Sequence, residues 1–264
     1  MSEAQARARS TLVDSDRIEE ELRRVVAARD EVLAIVSHDL RNPLSAVQLS
    51  TRLLGELGLD ERARKHVEMI QRATRSMSRL IDDLLDAVSI DSGKLALDVR
   101  PVRVAEVMKE LRARNEALAR DRGVELRVTC EAPPGAPDLA ILADRPRVLQ
   151  VFGNLIGNAV TFCRTGGAVS IGCQLAGDAV EFSIADTGPG IDPGLVPHLF
   201  ESYWSAPPSI RRRIGLGLYI AKGIVERHGG WIRVERSEMG GGTDARPGAG
   251  PTIAFTLPRV PKAP

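Results

Sequence analysis

A seven-residue repeat of apolar positions most constrains what the first third of this chain can fold into. The positions advance by alternating steps of four and three residues, which is the spacing of a seam between packed helices. The first seam comprises Ile18, Leu22, Val25, Arg29, Val32 and Val36. The second seam comprises Val67, Ile70, Thr74, Met77, Ile81, Leu84 and Val88. Because Gly55 and Gly58 interrupt the pattern between the two seams, the sequence predicts an antiparallel helical hairpin.

A single hairpin of this kind buries only one stripe of each helix. Two hairpins can bury both stripes by forming a four-helix bundle. The alternative is that the hairpin packs on the C-terminal part of its own chain. Unbroken heptads are more typical of bundle seams than of such contacts, so we expect a homodimer built on a four-helix bundle.

The periodicity changes after Ser92 and Gly93, where strand-like and helix-like segments begin to follow one another. Strands are expected at residues 95–99, 124–129, 139–142, 169–173, 179–184, 231–234 and 252–257, and helices at 104–119, 146–162 and 216–227. The late strands resemble hairpins, so we expect an α+β sandwich with helices on one face of a mixed sheet. The expected domains are 15–92 for the hairpin and 93–264 for the sandwich, with residues 1–14 disordered or ending a signalling helix.

Composition excludes several classes of protein. The 36 Lys and Arg residues balance 35 Asp and Glu, and aromatic residues make up 3% of the chain, so a nucleic-acid partner is not expected. The longest early apolar run, residues 32–36, is too short to span a membrane. Three cysteines without a Cys-x-x-Cys pair, Cys130, Cys163 and Cys173, are interpreted as free thiols in a reducing cytoplasm.

The first candidate for chemistry is His38, which stands between the apolar positions Val36 and Leu40 and should therefore face outward. Asp39 follows it directly, and Asn42 lies one turn further on the same helical face. An exposed imidazole beside a carboxylate is a plausible nucleophile, because the carboxylate can take the proton of one ring nitrogen while the other attacks. The alternative is a solvated surface histidine.

A second candidate is the pair Asn154 and Asn158, which are four residues apart and share one face of a predicted helix. Two amide oxygens at this spacing can hold Mg²⁺ together with water and phosphate oxygens. The alternative is that they are two polar surface residues.

Two glycine-containing turns complete the set of candidates. Asp186 precedes Gly188 and Gly190 in a turn where a buried carboxylate could accept a hydrogen bond from the exocyclic amine of adenine; an acidic helix cap is the alternative. Gly215 and Gly217 open a predicted helix whose free N–H groups suit phosphate, although a lone Gly-x-Gly is a weak signal. The Gly-x-Gly-x-x-Gly and Walker patterns are absent from both turns, which disfavours dinucleotide-binding and P-loop proteins.

The order and spacing of these segments resemble those of sensor histidine kinases. Residues 37–44 resemble the H box of that family, 154–158 its N box, 186–190 and 215–217 its two glycine boxes, and 199–201 its F box. The resemblance covers residues 15 to 260, approximately, and implies a dimerisation and phosphoacceptor hairpin followed by an ATP-binding domain of the GHKL type.

The resemblance also implies roles for the hairpin residues and partners for the chain. His38 would be the phosphoacceptor, Asp39 would orient and deprotonate it, and Asn42 would position water when the enzyme acts as a phosphatase. The implied partners are a second copy of the chain, the receiver domain of a response regulator, and an upstream sensor domain or subunit outside this chain.

In the ATP-binding domain, the resemblance implies that Asn158 is the main Mg²⁺ ligand, that Asn154 assists it, and that Asp186 binds the adenine amine of ATP. The glycines would shape the pocket and the hinges of its lid, at Gly188, Gly190, Gly215 and Gly217. An amide at position 154 cannot activate water as the glutamate of other GHKL ATPases does, which disfavours a free-standing ATPase.

The sequence departs from the family pattern at three positions. Thr161 stands where a phosphate-binding Lys is common, and Arg213 and Ile214 precede the second glycine box. We expect a lid over residues 191–214 that closes less freely, with arginines 211–213 partly replacing the missing Lys charge. These departures leave one alternative function, a degenerate nucleotide-binding dimeric signalling scaffold.

Overall fold

A computed structural model describes residues 30, 32–33, 35–130, 139–201, 216–236 and 250–261 of the chain. The chain divides into two compact units between Gly93 and Lys94, and each unit is described by itself. The expectations for residues 1–14, for the first seam up to Arg29, and for Arg213, Ile214 and Gly215 lie outside the described residues. No helix in the described ranges is both long enough and apolar enough to cross a membrane.

The first unit is the helical hairpin that the heptad pattern predicts. Helix α1 covers residues 35–56 and continues through Pro43, and helix α2 covers Glu61–Asp91. Asp60 begins α2 as its N-cap, since its side chain accepts a hydrogen bond from the Ala63 N–H at 2.7 Å. The prediction of a helical hairpin is confirmed.

Polar side chains join the two helices of the hairpin at three levels. The guanidinium of Arg41 donates to the carboxylate of Asp82 at 2.7 Å. The side-chain amide of Gln48 donates to the Ser78 hydroxyl at 2.9 Å. The side-chain amide of Gln71 donates to the Thr51 carbonyl, also at 2.9 Å. These bonds set the register of α1 against α2.

Burial along the second seam is divided between two sides of the hairpin. Alternate members, namely Val67, Thr74, Ile81 and Val88, are buried. The members between them are not, since Ile70 is 44% exposed and Met77 is 52% exposed. Together with the exposed apolar stripe of α1 they form what we call the exposed apolar face, which consists of Val36, Leu40, Val47, Leu54, Ile70 and Met77.

The second unit is an α+β sandwich, as predicted. Its five-stranded sheet has the order β2-β4-β5-β7-β6, in which β2 and β4 are parallel and the other pairs antiparallel, so the sheet is mixed. The strands are β2 Glu125–Val128, β4 Ala168–Ala176, β5 Ala179–Asp186, β6 Ile232–Arg236 and β7 Thr252–Pro258. A smaller antiparallel pair consists of β1 Arg100–Arg103 and β3 Ala140–Ala143.

Three helices cover the core of this unit: α3 Val104–Asp121, α4 Arg145–Phe162 and α5 Gly217–Arg227. Phe152 of α4 meets Phe182 of β5 and Phe255 of β7 edge to face, with ring centroids 5.3 and 5.1 Å apart. All three rings are fully buried, and such aromatic contacts add to the free energy gained from burial alone. This cluster fixes α4 on the sheet.

One strand prediction is wrong. Residues 95–99 alternate in polarity, but the strand that pairs with β3 begins only at Arg100. Leu95 is buried and its carbonyl accepts a hydrogen bond from Arg227 at 3.1 Å. The apolar residue therefore anchors a non-strand segment, which alternation alone cannot distinguish from a strand.

The prediction of three free thiols is also wrong. Cys130 and Cys173 form a disulfide, with Cα atoms 4.8 Å apart, and Cys163 is free. The cause is the parallel register of β2 on β4, which pairs Val128 with Ile171 and therefore places Cys130 beside Cys173. Such a register between strands 43 residues apart leaves no mark in cysteine spacing.

Candidate functional sites

His38 lies on the solvent-exposed side of α1, as its position between apolar residues predicts. Its side chain is 70% exposed, and Nδ1 lies 3.3 Å from a carboxylate oxygen of Asp39, which is 71% exposed. An ionised carboxylate can only accept hydrogen bonds, so this contact places the proton on Nδ1. The lone pair of Nε2 is then directed away from Asp39 and available for attack.

The surroundings of His38 combine an exposed face with a firmly packed one. Asn42, one turn further along α1, is exposed, whereas Ser37, which directly precedes His38, is almost fully buried. The ion pair of Arg41 with Asp82 joins this part of α1 to α2. The helix at His38 is therefore held in place while the imidazole itself remains accessible.

The two asparagines lie on α4, whose start is set by local sequence. Asp144 is the N-cap, and its side chain accepts from the Arg147 N–H at 3.2 Å, with a proline in the first turn. Val151 and Leu155 face the core and are 1% exposed. The half-buried Asn154 and Asn158 consequently share the adjoining side of the helix.

The side-chain amides of these two asparagines differ in their hydrogen bonding. Nδ2 of Asn154 donates to the Gly217 carbonyl at 3.0 Å, which connects α4 to the start of α5. Nδ2 of Asn158 is buried and has no hydrogen-bond partner among the described residues. A buried amide without a partner costs free energy unless a ligand satisfies it, so Asn158 is the residue of α4 most suited to a ligand.

Asp186 ends β5 and is 7% exposed. One carboxylate oxygen accepts from the Gly188 N–H at 2.7 Å. Burial raises the pKa of Asp186 to about 6, and the hydrogen bond from Gly188 opposes that shift. A carboxylate held this way is ionised near neutral pH and retains a second oxygen for a donor such as an exocyclic amine.

Glycines enclose Asp186 from two parts of the chain. A Cβ on Gly188 would lie 2.6 Å from the Asp186 carboxylate, so no larger residue fits there. Gly190 has a φ of +87°, which L-residues rarely adopt. Gly250 donates its N–H to the Asp186 carbonyl at 3.0 Å, and a Cβ on Gly250 would overlap that same carbonyl.

Gly250 is a site residue that the sequence analysis missed. The signal was present, because residues 248–250 form a further Gly-x-Gly directly before β7. Its close approach to β5 depends on β7 pairing with β5, which is a long-range contact. Gly217, in contrast, was identified from the sequence, and a Cβ there would lie 3.3 Å from the amide carbon of Asn154.

The turn after Asp186 lies at the C-terminal end of α4. The hydroxyl of Thr187 is 3.4 Å from the Cys163 sulfur, and a Cβ on Gly188 would lie 3.3 Å from the Phe162 carbonyl. The fold thus gathers Asn158, Asp186 and Gly188 around one end of α4 in the second unit. His38, Asp39 and Asn42 belong to the first unit, and Gly215 lies outside the described residues.

Thr161 cannot replace the lysine that its position commonly carries. Its hydroxyl donates to the Gly157 carbonyl of the same helix at 2.7 Å, and it carries no charge. The lid expected at residues 191–214 is described only as far as residue 201, where it includes the short 3₁₀ helix Val196–His198. The arginines proposed to compensate for Thr161 lie outside the described residues.

The side chains near the end of α4 restrict which metal ion could bind there. Within the described ranges, no group of three His, Cys, Asp or Glu side chains could hold one. The Oδ1 atoms of Asn158 and Asn154 instead offer one or two neutral oxygens, and the unpartnered Nδ2 of Asn158 can donate to a phosphate oxygen or a water. Mg²⁺ suits this arrangement, because it usually takes most of its ligands from phosphates and water.

Comparisons with known proteins agree with both units. Residues 28–93 match the family described as the His Kinase A (phospho-acceptor) domain. Residues 143–261 match the family described as the histidine kinase-, DNA gyrase B-, and HSP90-like ATPase.

Among curated relatives, the sensor protein DivL of Caulobacter vibrioides is 33% identical over 226 residues, covering 85% of this chain and 27% of DivL. The circadian input-output histidine kinase CikA of Synechococcus elongatus is 34% identical over 223 residues, covering 82% of this chain and 29% of CikA. The chain thus spans less than a third of the length of either relative.

Among solved structures, full-length ShkA in complex with AMPPNP is similar with a TM-score of 0.70 and 28% identity, over 89% of this chain and 47% of ShkA. The catalytic domain of the histidine kinase ThkA is similar with a TM-score of 0.51 and 25% identity, over 61% of this chain and 95% of that domain. These comparisons give no support to a degenerate scaffold. A phosphoacceptor-type hairpin that precedes a GHKL-type sandwich, each with matching relatives, shows that this chain belongs to the sensor histidine kinases.

Proposed function

We propose that this chain is the kinase core of a two-component system, which phosphorylates His38 from Mg²⁺-ATP and passes the phosphoryl group to an aspartate of a response-regulator receiver domain. The observation that carries the proposal is the geometry of His38, whose Nδ1 faces Asp39 while the ring stays 70% exposed. An exposed imidazole with a fixed proton can reach a substrate that is bound elsewhere.

The chemistry proposed for His38 is in-line displacement. The lone pair of Nε2 forms a bond to the γ-phosphorus, while the bond from that phosphorus to the β–γ bridging oxygen breaks and ADP leaves with the electron pair. The imidazole gains positive charge in this step, and the Asp39 carboxylate at 3.3 Å stabilises it and accepts the Nδ1 proton. Asn42 is proposed to position water when the phosphoryl group of the partner is hydrolysed.

The nucleotide is proposed to bind in the second unit. Asp186 accepts a hydrogen bond from the adenine amine with its second carboxylate oxygen, and the glycines around it allow the backbone to approach the base. Asn158, assisted by Asn154, holds Mg²⁺, which neutralises phosphate charge when bound. Neither asparagine can activate water as a carboxylate does, so the site favours transfer to His38 over hydrolysis.

The assembly is proposed to be a homodimer. The exposed apolar face of the hairpin contributes six large apolar side chains that a single chain leaves accessible, and a second hairpin of the same sequence can cover them. A sensor domain or subunit outside this chain is proposed to supply the signal. The hairpin and the sandwich are proposed to lie in the cytoplasm, where ATP is available.

Labelling with γ-³²P-ATP tests the proposal. The wild-type chain should acquire acid-labile, base-stable label, and His38→Gln should acquire none while it binds nucleotide normally. His66→Gln is the matched control, because His66 is also exposed and lies on the same hairpin. Label retained in His38→Gln, or its absence from the wild type, would overturn the proposal.

A further inference from the structure

His228 is a buried histidine that neither the sequence analysis nor the proposed function uses. It directly follows α5 as its C-cap and is 7% exposed. Its Nδ1 lies 2.8 Å from the carbonyl of Ile224 in the last turn of α5. Its Nε2 lies 2.9 Å from the backbone N–H of Asp144, a residue 84 positions away in sequence.

These two partners determine where the ring carries its proton. A backbone carbonyl can only accept and a backbone N–H can only donate. Nδ1 must therefore carry the hydrogen, and Nε2 must present its lone pair to Asp144. The ring is neutral in this arrangement, and both nitrogens are satisfied.

Asp144 is the residue that sets the start of α4. Besides the bond from its N–H to His228, its carboxylate accepts from the Arg147 N–H at 3.2 Å and from the Asp98 N–H at 3.0 Å. Its carbonyl accepts the first helical bond, from Val148 at 2.9 Å. Every polar group of Asp144 is thus engaged, and His228 provides the link to α5.

Helices α4 and α5 are consequently joined at two levels. One is the bond between Asp144 and His228, and the other is the bond from Asn154 to the Gly217 carbonyl. Residues 144 and 154 are separated by about 15 Å along α4, and residues 217 and 228 by a similar length along α5. Two links this far apart prevent the antiparallel helices from sliding or pivoting against each other.

We infer that His228 is a positioning residue for nucleotide binding: its Nε2 acceptor fixes the register of α5 on α4 and thereby holds Gly217 against Asn154. This inference rests on the proposed function, since Asn154 and Gly217 matter here as parts of a nucleotide site. His228 itself has no access to a ligand.

Three variants of His228 separate its role as a hydrogen-bond acceptor from its role in filling space. In His228→Gln the side-chain oxygen can occupy the place of Nε2 and accept from Asp144, whereas in His228→Asn the amide occupies only the place of Nδ1. His228→Phe fills the volume without either hydrogen bond. Affinity for Mg²⁺-AMPPNP is measured by calorimetry on the full chain, with circular dichroism as the check on folding.

We expect His228→Gln to bind within about threefold of the wild type, and His228→Asn and His228→Phe to bind about 10-fold more weakly. Equal losses in Gln and Asn, or wild-type affinity in Phe, would overturn the inference. Failure of the wild type to bind AMPPNP would instead count against the proposed function.

A measurement on the wild type requires neither the variants nor a nucleotide. Long-range ¹H–¹⁵N spectra of the four imidazoles, with the His228 ring assigned by through-bond correlation to its own backbone amide, report which nitrogen is protonated. We expect the Nδ1–H tautomer for His228. The Nε2–H tautomer would overturn the inference even if the substituted chains failed to fold.

Discussion

The two units of this chain hold their proposed functional residues in opposite ways. His38 in the hairpin is exposed, and its partner is its neighbour in sequence, Asp39. Asp186 in the sandwich is buried, and the groups that hold it come from its own turn and from Gly250, 64 residues later. A residue that must be reached by large partners needs exposure, whereas a residue that must discriminate a base needs to be removed from water.

The units also differ in how fully one chain buries their apolar side chains. The sandwich buries its largest core side chains within one chain, as the cluster of Phe152, Phe182 and Phe255 shows. The hairpin buries only alternate members of its second seam and leaves Ile70 and Met77 accessible. The described core of the sandwich is therefore buried within one chain, whereas the stability of the hairpin should depend on association.

The largest expected effect is on dimerisation, which tests the difference in buried apolar surface between the two units. The double substitution Ile70→Asp with Met77→Asp places four charges in a symmetric dimer interface, because each residue occurs twice. We expect the dimer dissociation constant to rise at least roughly 1000-fold, measured by analytical ultracentrifugation.

The control for association is Leu118→Asp, which replaces a large residue that is 40% exposed on a helix of the other unit. It should leave the dissociation constant unchanged. An unaltered dimer in the double variant would show that the exposed apolar face is not the interface.

The next effect concerns the buried carboxylate. Asp186→Asn replaces one acceptor oxygen by an amide donor, and a donor directed at the adenine amine repels it. We expect nucleotide affinity to fall by roughly 100-fold, measured by calorimetry. Asp178→Asn is the matched control, since Asp178 is an exposed carboxylate in the same unit; an equal loss there would contradict the assignment.

The raised pKa of Asp186 gives two pH dependences of opposite sign. Its pKa is about 6 in the folded protein against an ordinary value of 3.8, so the unfolded chain ionises first. Without nucleotide, the free energy of unfolding should therefore fall as pH rises from 3.8 to about 6. Nucleotide affinity should rise over the upper part of that window, because the ionised form is the better acceptor.

Urea denaturation and calorimetry across this pH range measure the two trends. Subtracting the same curves for Asp186→Asn isolates the contribution of this residue, since all other titrating groups remain. Two trends of the same sign would show that the carboxylate does not bind the nucleotide as an anion.

A smaller effect is expected at the metal. Asn158→Ala removes one amide, which we propose as a Mg²⁺ ligand, and should weaken Mg²⁺-dependent nucleotide binding by about 10-fold. The same comparison in EDTA serves as the control, and there the variant should differ little from the wild type. An equal loss with and without Mg²⁺ would assign Asn158 to the nucleotide itself.

The smallest effect lies in the hairpin. Arg41 and Asp82 form an ion pair in which both side chains are about half exposed. Such pairs contribute less than about 1 kcal/mol, so Arg41→Ala should lower the midpoint of thermal unfolding only slightly and leave the label on His38 in place. Loss of the label would show that this pair positions the phosphoacceptor.

Features set by local periodicity could be predicted from the sequence. The heptads predict both hairpin helices, and the spacing of Asn154 and Asn158 places them on one face of α4, with Val151 and Leu155 in the core. Features set by the pairing of distant strands could not. Gly250 beside Asp186 depends on the pairing of β7 with β5, and the disulfide depends on the register of β2 on β4.

His228 shows a third kind of limit. A histidine that directly follows a helix is commonly interpreted as a cation that suits the helix dipole. In the structure His228 is buried and makes two hydrogen bonds whose partners require a neutral ring. Whether a histidine is charged depends on the partners of both nitrogens, and one of these, Asp144, comes from elsewhere in the chain.

The position of β7 in the sheet governs when the nucleotide site can exist during synthesis. β7 is the last strand in sequence, yet it lies between β5 and β6, and the residues just before it hold Asp186 through the Gly250 N–H and the Pro251 carbonyl. A ribosome-bound chain that has released β5 but not β7 leaves the backbone N–H and carbonyl of Asp186 without those two partners. The hairpin precedes the sandwich in sequence, so a nascent chain carries His38, the proposed phosphoacceptor, before it holds the complete proposed nucleotide site.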